Sequence, residues 1–317
     1  MAGKTLMYVH GFASSAASGT VRTLRELLPE TRVVAEDIPL HPEEGLAMLR
    51  DMTDRERPDL IVGTSMGGMY AEQLKGFDRI LVNPAFQMGE TMSKHGLTGK
   101  QVFQNLRKDG VQEFMVTKGL VKEYEQVCAG CFRDITPEEQ ARVTGLFGDK
   151  DPLVHTYDLF RSHYPAAIRF HGEHRLNDTV ALHYLLPVIR RIDDRQEGRE
   201  RQIVFLSLET LHDAYGHPAS SMHKTYEYLL EKYRVYIVAP SDSADPQAMV
   251  SAAAWTEEAL SAPAWNQLIF IRRRELLYGD FLITRRPCPD FMGTVLHFGS
   301  DDFKTWDDVA TFFSRLG

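Results

Sequence analysis

Several things are scarce in this chain, and each scarcity excludes a class. Only 3 cysteines occur in 317 residues, too few for a disulfide framework. No apolar run reaches the roughly 18 residues a transmembrane helix needs, so no membrane span is expected. The first ten residues carry one lysine and a short apolar run, without the long hydrophobic region or cleavage site of a signal peptide, so a cytoplasmic location is expected. Positive charge is in deficit: 36 Lys+Arg stand against 44 Asp+Glu, a net charge of −8. General nucleic-acid binding needs basic patches that displace phosphate counterions, so no nucleic-acid partner is expected. Repeats and low-complexity tracts are also lacking. With 43% hydrophobic and 25% charged residues, the chain has the composition of an ordered globular protein. At roughly 150 residues per domain, its length suggests two domains.

What is present is an alternation of strand and helix patterns. Apolar runs at Thr5–Val9, Arg32–Ala35, Asp59–Val62, Arg79–Val82, Val143–Phe147 and Ala167–Phe170 read as strands. Helical spacing falls at Val21–Leu28, Pro42–Asp54 and Met66–Leu74. Such alternation predicts an α/β fold with a parallel sheet and helices on both faces. Residues 85–142 break the rhythm, with helical patterning and no convincing strand. An insertion there overlies the end of the sheet where open parallel sheets carry their sites, as a lid or as a packed helix pair without gating. The segment 193–201 is charged and poor in core residues, as linkers are. Alternation then restarts, with strands at Ile203–Leu208, Val235–Val238 and Leu268–Ile271, short strands around Phe281 and Val295, and a last helix over Asp307–Leu316. The expected domains are 1–192 and 202–317.

Gly63-Thr64-Ser65-Met66-Gly67 fits G-x-S-x-G between a strand and a helix, the context of a nucleophile elbow. Gly63 and Gly67 let the helix pass close to the strand, and the Met66 N–H points at a developing oxyanion. A serine hydroxyl needs a base. Asp151 follows the fifth strand and His174 the sixth, in the chain order Ser, Asp, His. In this arrangement Asp151 orients His174, which takes the proton from Ser65. Asp149 and His171 are local rivals. Asp149 sits in the turn after Gly148, where it bonds turn backbone, and His171 closes a strand, so Asp151 and His174 are preferred. The Phe12 N–H, after His10-Gly11, is the candidate second oxyanion donor, and His10 reads as a turn-holding histidine. Cys128 and Cys131 form a lone C-x-x-C with no second ligand pair, read as structural thiols with no metal site.

Tyr8-Val9-His10-Gly11-Phe12 with Ser14-Ser15, Gly63 to Gly68, Asn83-Pro84-Ala85, and the segments around Asp151 and His174 together resemble the α/β-hydrolase superfamily. Within it they resemble the small bacterial esterases of the YqiA/YcfP type (UPF0227). The resemblance implies hydrolysis of a small-molecule carboxylic ester or acyl thioester without a cofactor. The insertion departs from that pattern. Its Phe86, Met88, Met92, Phe103, Phe114 and Met115 read either as an acyl-chain pocket or as core packing.

Residues 202–317 resemble a haloacid-dehalogenase-like, Rossmann-type domain of the 5'(3')-deoxyribonucleotidase branch. The resemblance lies in Val235 to Ser241, Arg274 to Ile283 and His297-Phe298-Gly299-Ser300. It implies an aspartate nucleophile and a second aspartate where Ser207-Leu208-Glu209 stand. It also implies a lysine where Arg274 stands, and a magnesium-holding acidic pair where Thr284-Arg285 stand. A serine cannot form an aspartyl-phosphate, and the remaining carboxylate is a poor magnesium site, so no phosphatase activity is expected. Arg273, Arg274 and Arg285 are candidates for anion binding, or else arginines paired with nearby carboxylates. The function expected is a serine esterase or thioesterase with an inactive partner domain. A non-catalytic nucleotide- or phosphate-binding protein, and an acyltransferase or amidase using the same residues, remain open, as does a homo-oligomer.

Overall fold

The computed structural model describes residues 1–241, 244–260 and 267–316. It divides into two compact units, Met1–Leu186 and Pro187–Gly317.

The first unit opens with β1 (Thr5–Val9), α1 (Gly19–Leu27), β2 (Arg32–Val34), α2 (Pro42–Glu56), β3 (Leu60–Thr64), α3 (Met66–Glu72) and β4 (Arg79–Val82). The insertion follows as α4 (Met88–Lys94), β5 (Gly99–Val102), β6 (Glu113–Val116), α5 (Lys118–Cys128) and α6 (Pro137–Arg142). Then come β7 (Val143–Gly148), α7 (Tyr157–Arg161), β8 (Ala167–Phe170) and the single turn α8 (Asp178–Val180). Six strands form one sheet in the order β2-β1-β3-β4-β7-β8, every pair parallel. The central strands are buried on both faces and therefore read as unbroken apolar runs: Leu6, Met7, Leu60, Ile61, Val62, Ile80 and Leu81 are fully buried.

The chain reverses direction across the sheet between β1 and β3, which opens a crevice at the strands' carboxyl ends. Register aligns those ends, with Val9 opposite Gly63, Thr64 opposite Val82, and Gly148 opposite Phe170. The loops carrying Phe12, Ser65, Asn83, Asp151 and His174 thus leave one edge together.

The insertion corrects one expectation. It contains two strands, β5 and β6, paired antiparallel with Gly99 opposite Val116. Each is 4 residues long. In β6 Phe114 and Val116 turn inward while Glu113 and Met115 turn outward, an alternation too short to separate from a helical pattern. The hairpin is fastened to the loop after β1: the Gln104 N–H donates to Ala13 O at 2.8 Å, and Ser15 Oγ donates to Leu106 O at 2.9 Å.

The second unit begins inside α9 (Leu186–Gln196) and continues through β9 (Ile203–Ser207), α10 (Leu208–Leu211), α11 (Met222–Lys232), β10 (Arg234–Pro240), α12 (Pro246–Ala259), β11 (Leu268–Ile271), β12 (Phe281–Thr284), β13 (Thr294–His297) and α13 (Trp306–Ser314). Its five strands are parallel in the order β11-β10-β9-β12-β13. The α/β class expected for both halves is present. The unit boundary falls at Leu186, earlier than residue 192, and α9 carries helix into the charged stretch. There Asp194 pairs with Arg199 at 2.9 Å and with Arg201 at 2.6 Å.

Backbone packs closely against backbone at Gly63 and Gly67. A Cβ on Gly67 would overlap the carbonyl oxygens of Val9 and His10, and one on Gly63 would overlap Gly67 itself. Gly67→Ala is expected to cost about 3 kcal/mol or more by urea unfolding, because the clash is with backbone that cannot yield. Gly119→Ala in α5, where a Cβ meets only Thr117 Oγ1 at 3.5 Å, is expected to be neutral or to stabilise by about 0.5 kcal/mol.

Candidate active site

Ser65 stands between β3 and α3 with φ of 55° and ψ of −120°, a strained conformation for a residue with a side chain. Backbone bonds fix it there: its N–H donates to Val82 O at 2.9 Å, and its carbonyl accepts from Gly68, Met69 and Ala85. Gly11 in the loop after β1 lies alongside, and a Cβ on it would sit 3.3 Å from Ser65 Cβ.

Three expected residues meet in a row. His174 Nε2 lies 3.0 Å from Ser65 Oγ, and His174 Nδ1 lies 2.7 Å from Asp151 Oδ2. The other oxygen of Asp151 accepts from the N–H groups of Leu153 at 2.8 Å and Val154 at 3.0 Å. The Asp151 side chain is 1% exposed and that of His174 17%. The carboxylate is therefore locked, while the imidazole keeps an open edge. Both rivals lie elsewhere. Asp149 holds His171 Nδ1 at 2.9 Å and the Gly172 N–H at 3.0 Å, so these two residues bind each other and the turn.

The two loops that carry Asp151 and His174 are tied by a residue the sequence reading quoted without assigning a role. Asn83 follows β4 at φ of 45° and is buried. Its Oδ1 accepts from the Gly148 N–H at 2.7 Å. Its Nδ2 donates to Glu173 O at 3.1 Å and to His174 O at 3.0 Å. A side chain with one acceptor and two donors at this reach is an amide. The only sequence signal was Asn83-Pro84 at a strand end.

The candidate oxyanion donors are Phe12, in the loop after β1, and Met66, the first residue of α3 directly after Ser65. Among the described residues neither backbone N–H donates to a backbone acceptor, as expected for the first position of a helix in the case of Met66. His10 is buried and holds the turn. Its Nε2 accepts from the Ile38 N–H at 3.1 Å, which leaves the proton on Nδ1, 2.8 Å from Gly11 O. Burial lowers its pKa to about 4.

A cavity of about 560 Å³ opens on Ser65 and His174. The insertion supplies part of its wall through Met88, Leu97, Gln104 and Asn105. Of the six apolar residues expected to form an acyl pocket, only Met88 lines it. Phe86, Met92 and Phe114 are buried in the core, Phe103 stacks on Phe114 at 4.3 Å, and Met115 is exposed. Met115 apart, their hydrophobicity serves packing. The same holds for the thiols: Cys131 is buried, and burial raises the pKa of both Cys128 and Cys131, which keeps them protonated and unreactive. Among the described residues no group of three His, Cys, Asp or Glu could hold a metal ion, and no helix is long and apolar enough to cross a membrane.

In the second unit the arginines are spoken for. Arg274 meets Glu209 through two bonds, of 3.2 and 3.3 Å, and donates to Thr284 Oγ1 at 2.7 Å. Arg273 pairs with Glu275 at 2.6 Å. Arg285 donates to Glu209 O at 3.0 Å and lies over the Phe298 ring. The structure pairs these cations internally and does not gather them into one open cluster. Ser207, at the end of β9, is fully buried.

Fold and site together define an α/β protein with a Ser–His–Asp hydrogen-bonded row at the carboxyl edge of a parallel sheet. Residues 5–126 match the model of UPF0227, an uncharacterised protein family. Over 104 residues the chain is 28% identical to a Vibrio phage KVP40 protein provisionally named a 5'(3')-deoxyribonucleotidase; the match covers 32% of this chain and 61% of that protein's length. Solved structures that resemble it include mouse α/β hydrolase domain-containing protein 10, with 15% identity over 62% of this chain and 90% of that one, at a TM-score of 0.42. The methylesterase MES16 from Arabidopsis shares 14% identity over 60% of this chain and 99% of its own, at a TM-score of 0.38. The esterase EaEST from Exiguobacterium antarcticum shares 12% over 62% and 92%, at 0.37.

Two outcomes are expected. Asn83→Asp keeps the acceptor for Gly148 but turns an oxygen on two carbonyls, and should cost about 2 kcal/mol or more in urea unfolding. His10 has a folded pKa of about 4 against roughly 6.5 unfolded. Between those values the unfolded chain binds the extra proton, so stability falls as pH drops from about 6.5 to 4, by about 3 kcal/mol from this residue. Unfolding measured against pH should show that acid limb, reduced in His10→Gln.

Proposed function

We propose that the chain is a serine hydrolase that cleaves carboxylic esters or acyl thioesters through a Ser65–His174–Asp151 triad. The observation that carries this reading is the 3.0 Å contact between His174 Nε2 and Ser65 Oγ, continued at 2.7 Å to a buried Asp151. His174 takes the proton of Ser65 as Oγ attacks the carbonyl carbon. The charge on the tetrahedral oxygen falls to the Phe12 and Met66 N–H groups, and His174 returns the proton to the leaving oxygen or sulfur. Water then repeats the sequence on the acyl-enzyme. Asp151 holds the imidazole with its Nδ1 proton inward and stabilises the imidazolium. Insertion residues in the cavity wall support a lid that limits access to the acyl-enzyme.

For the second unit, the reading is a module without phosphoryl chemistry. Ser207 stands where the resemblance implies a nucleophilic aspartate, and Arg274 neutralises Glu209, the remaining carboxylate.

Hydrolysis of a p-nitrophenyl ester series by wild type and Ser65→Ala tests the first reading. Ser65→Ala should lose about 10³-fold or more in kcat while its melting temperature stays within a few degrees; retained activity contradicts it. For the second, the full chain should release no phosphate from nucleotides in excess Mg²⁺. Release abolished by Glu209→Gln would overturn that reading.

A further inference from the structure

The cavity on Ser65 has polar residues set among its apolar lining. Ser14, Ser18, Thr20, Gln104, Asn105 and Asn177 line it alongside the apolar residues. One cation lines it too: Arg175, directly after His174. Arg175 forms no ion pair among the described residues, unlike Arg273 and Arg274 in the second unit. The wall beside it is the head of α1. Gly19 and Thr20 line the cavity, and Asp178, three positions after Arg175, is tied to α1 by accepting from Thr23 Oγ1 at 2.6 Å.

That helix head is uncapped. α1 has no side-chain cap and no acidic residue in its first turn. The Val21 N–H is taken by Ser18 O, whereas the N–H groups of Gly19 and Thr20 have no backbone acceptor among the described residues. Ser18 lines the cavity, is 6% exposed, and its Oγ has no hydrogen-bond partner. A buried hydroxyl without an acceptor is costly unless a ligand supplies one. A Cβ on Gly19 would meet nothing within 4 Å. A free guanidinium, unclaimed helical N–H groups and an orphaned hydroxyl in one wall share a single complement, an anionic oxygen group. Asp178, the acidic residue of that wall, already has one oxygen occupied by Thr23.

We propose that the substrate carries a carboxylate or phosphate apart from its scissile ester, bound between Arg175 and the head of α1. This rests on the hydrolase reading for its chemistry, though not for the binding itself. Arg175 is then a specificity residue and takes no part in proton transfer.

The test compares neutral and charged ester pairs: p-nitrophenyl butyrate with mono-p-nitrophenyl succinate for an acyl-side charge, and phenyl acetate with 3-acetoxybenzoate for an alcohol-side charge. Wild type should favour one charged member by about tenfold or more in kcat/KM. Arg175→Gln should erase that preference, lowering kcat/KM for the charged member about tenfold more than for its neutral partner, and Arg175→Lys should restore part of it. Equal losses on both members, or no preference in wild type, overturn the proposal. If no ester is hydrolysed, the hydrolase reading fails, and thermal stabilisation decides the anion site. Stabilisation by millimolar succinate or inorganic phosphate that Arg175→Gln abolishes upholds the site and shows which anion it takes. Absence of stabilisation by either rejects it.

Discussion

The structure of the first unit turns on the approach of one short helix to two strands. α3 comes so close to β1 and β3 that neither Gly63 nor Gly67 has room for a Cβ. That contact forces the chain through a sharp reversal at Ser65, which takes up a positive φ and projects its hydroxyl from the edge of the sheet. The strain is held by four backbone hydrogen bonds around Ser65. Local strain at a chemically competent side chain persists only where surrounding packing over-determines it. Here the buried sheet does so.

A second constraint organises the partners. Asp151 and His174 lie on loops that leave the paired strands β7 and β8, joined just past their ends by the Asp149 N–H to Phe170 O and Lys150 N–H to Gly172 O bonds. Asn83 adds a buried side-chain link by holding Gly148 on one loop and the carbonyls of Glu173 and His174 on the other. A proton-transfer row such as the one proposed needs support of this kind, because an ångström of misplacement costs far more than a lost surface contact. Polar as well as apolar residues shape the cavity. Phe86, Met92, Phe103 and Phe114 of the insertion are spent on anchoring it, as in the edge-on packing of Phe12 against Phe114. What they leave facing Ser65 includes amides and hydroxyls.

Much of this was legible in the sequence. All six strands of the first sheet were visible, because doubly buried parallel strands are continuous apolar runs ended by glycine or polar residues. Ser65, Asp151 and His174 follow from that, since each sits just past such a run. The β5–β6 hairpin was not legible: its strands are too short, and its inward Phe114 and Val116 fit a helical pattern as well. α9 runs into a stretch whose composition suggests a linker, while Ile192 is still buried, so composition alone does not mark where the two units divide. Arg175 and Ser18 give no signal in the sequence, because their interest lies in what they do not touch, which no spacing rule encodes. Arg273, Arg274 and Arg285 illustrate the converse: a cluster of charge in sequence became pairs and a stack in space.

The central claim is that Ser65 is a nucleophile activated by His174. The most direct measurement is covalent labelling with a fluorophosphonate, located by mass spectrometry of the peptide containing Ser65 in wild type and His174→Ala. The account predicts a single adduct on Ser65 in wild type and none over the same interval in His174→Ala. No adduct at Ser65, or equal labelling without the imidazole, would contradict it.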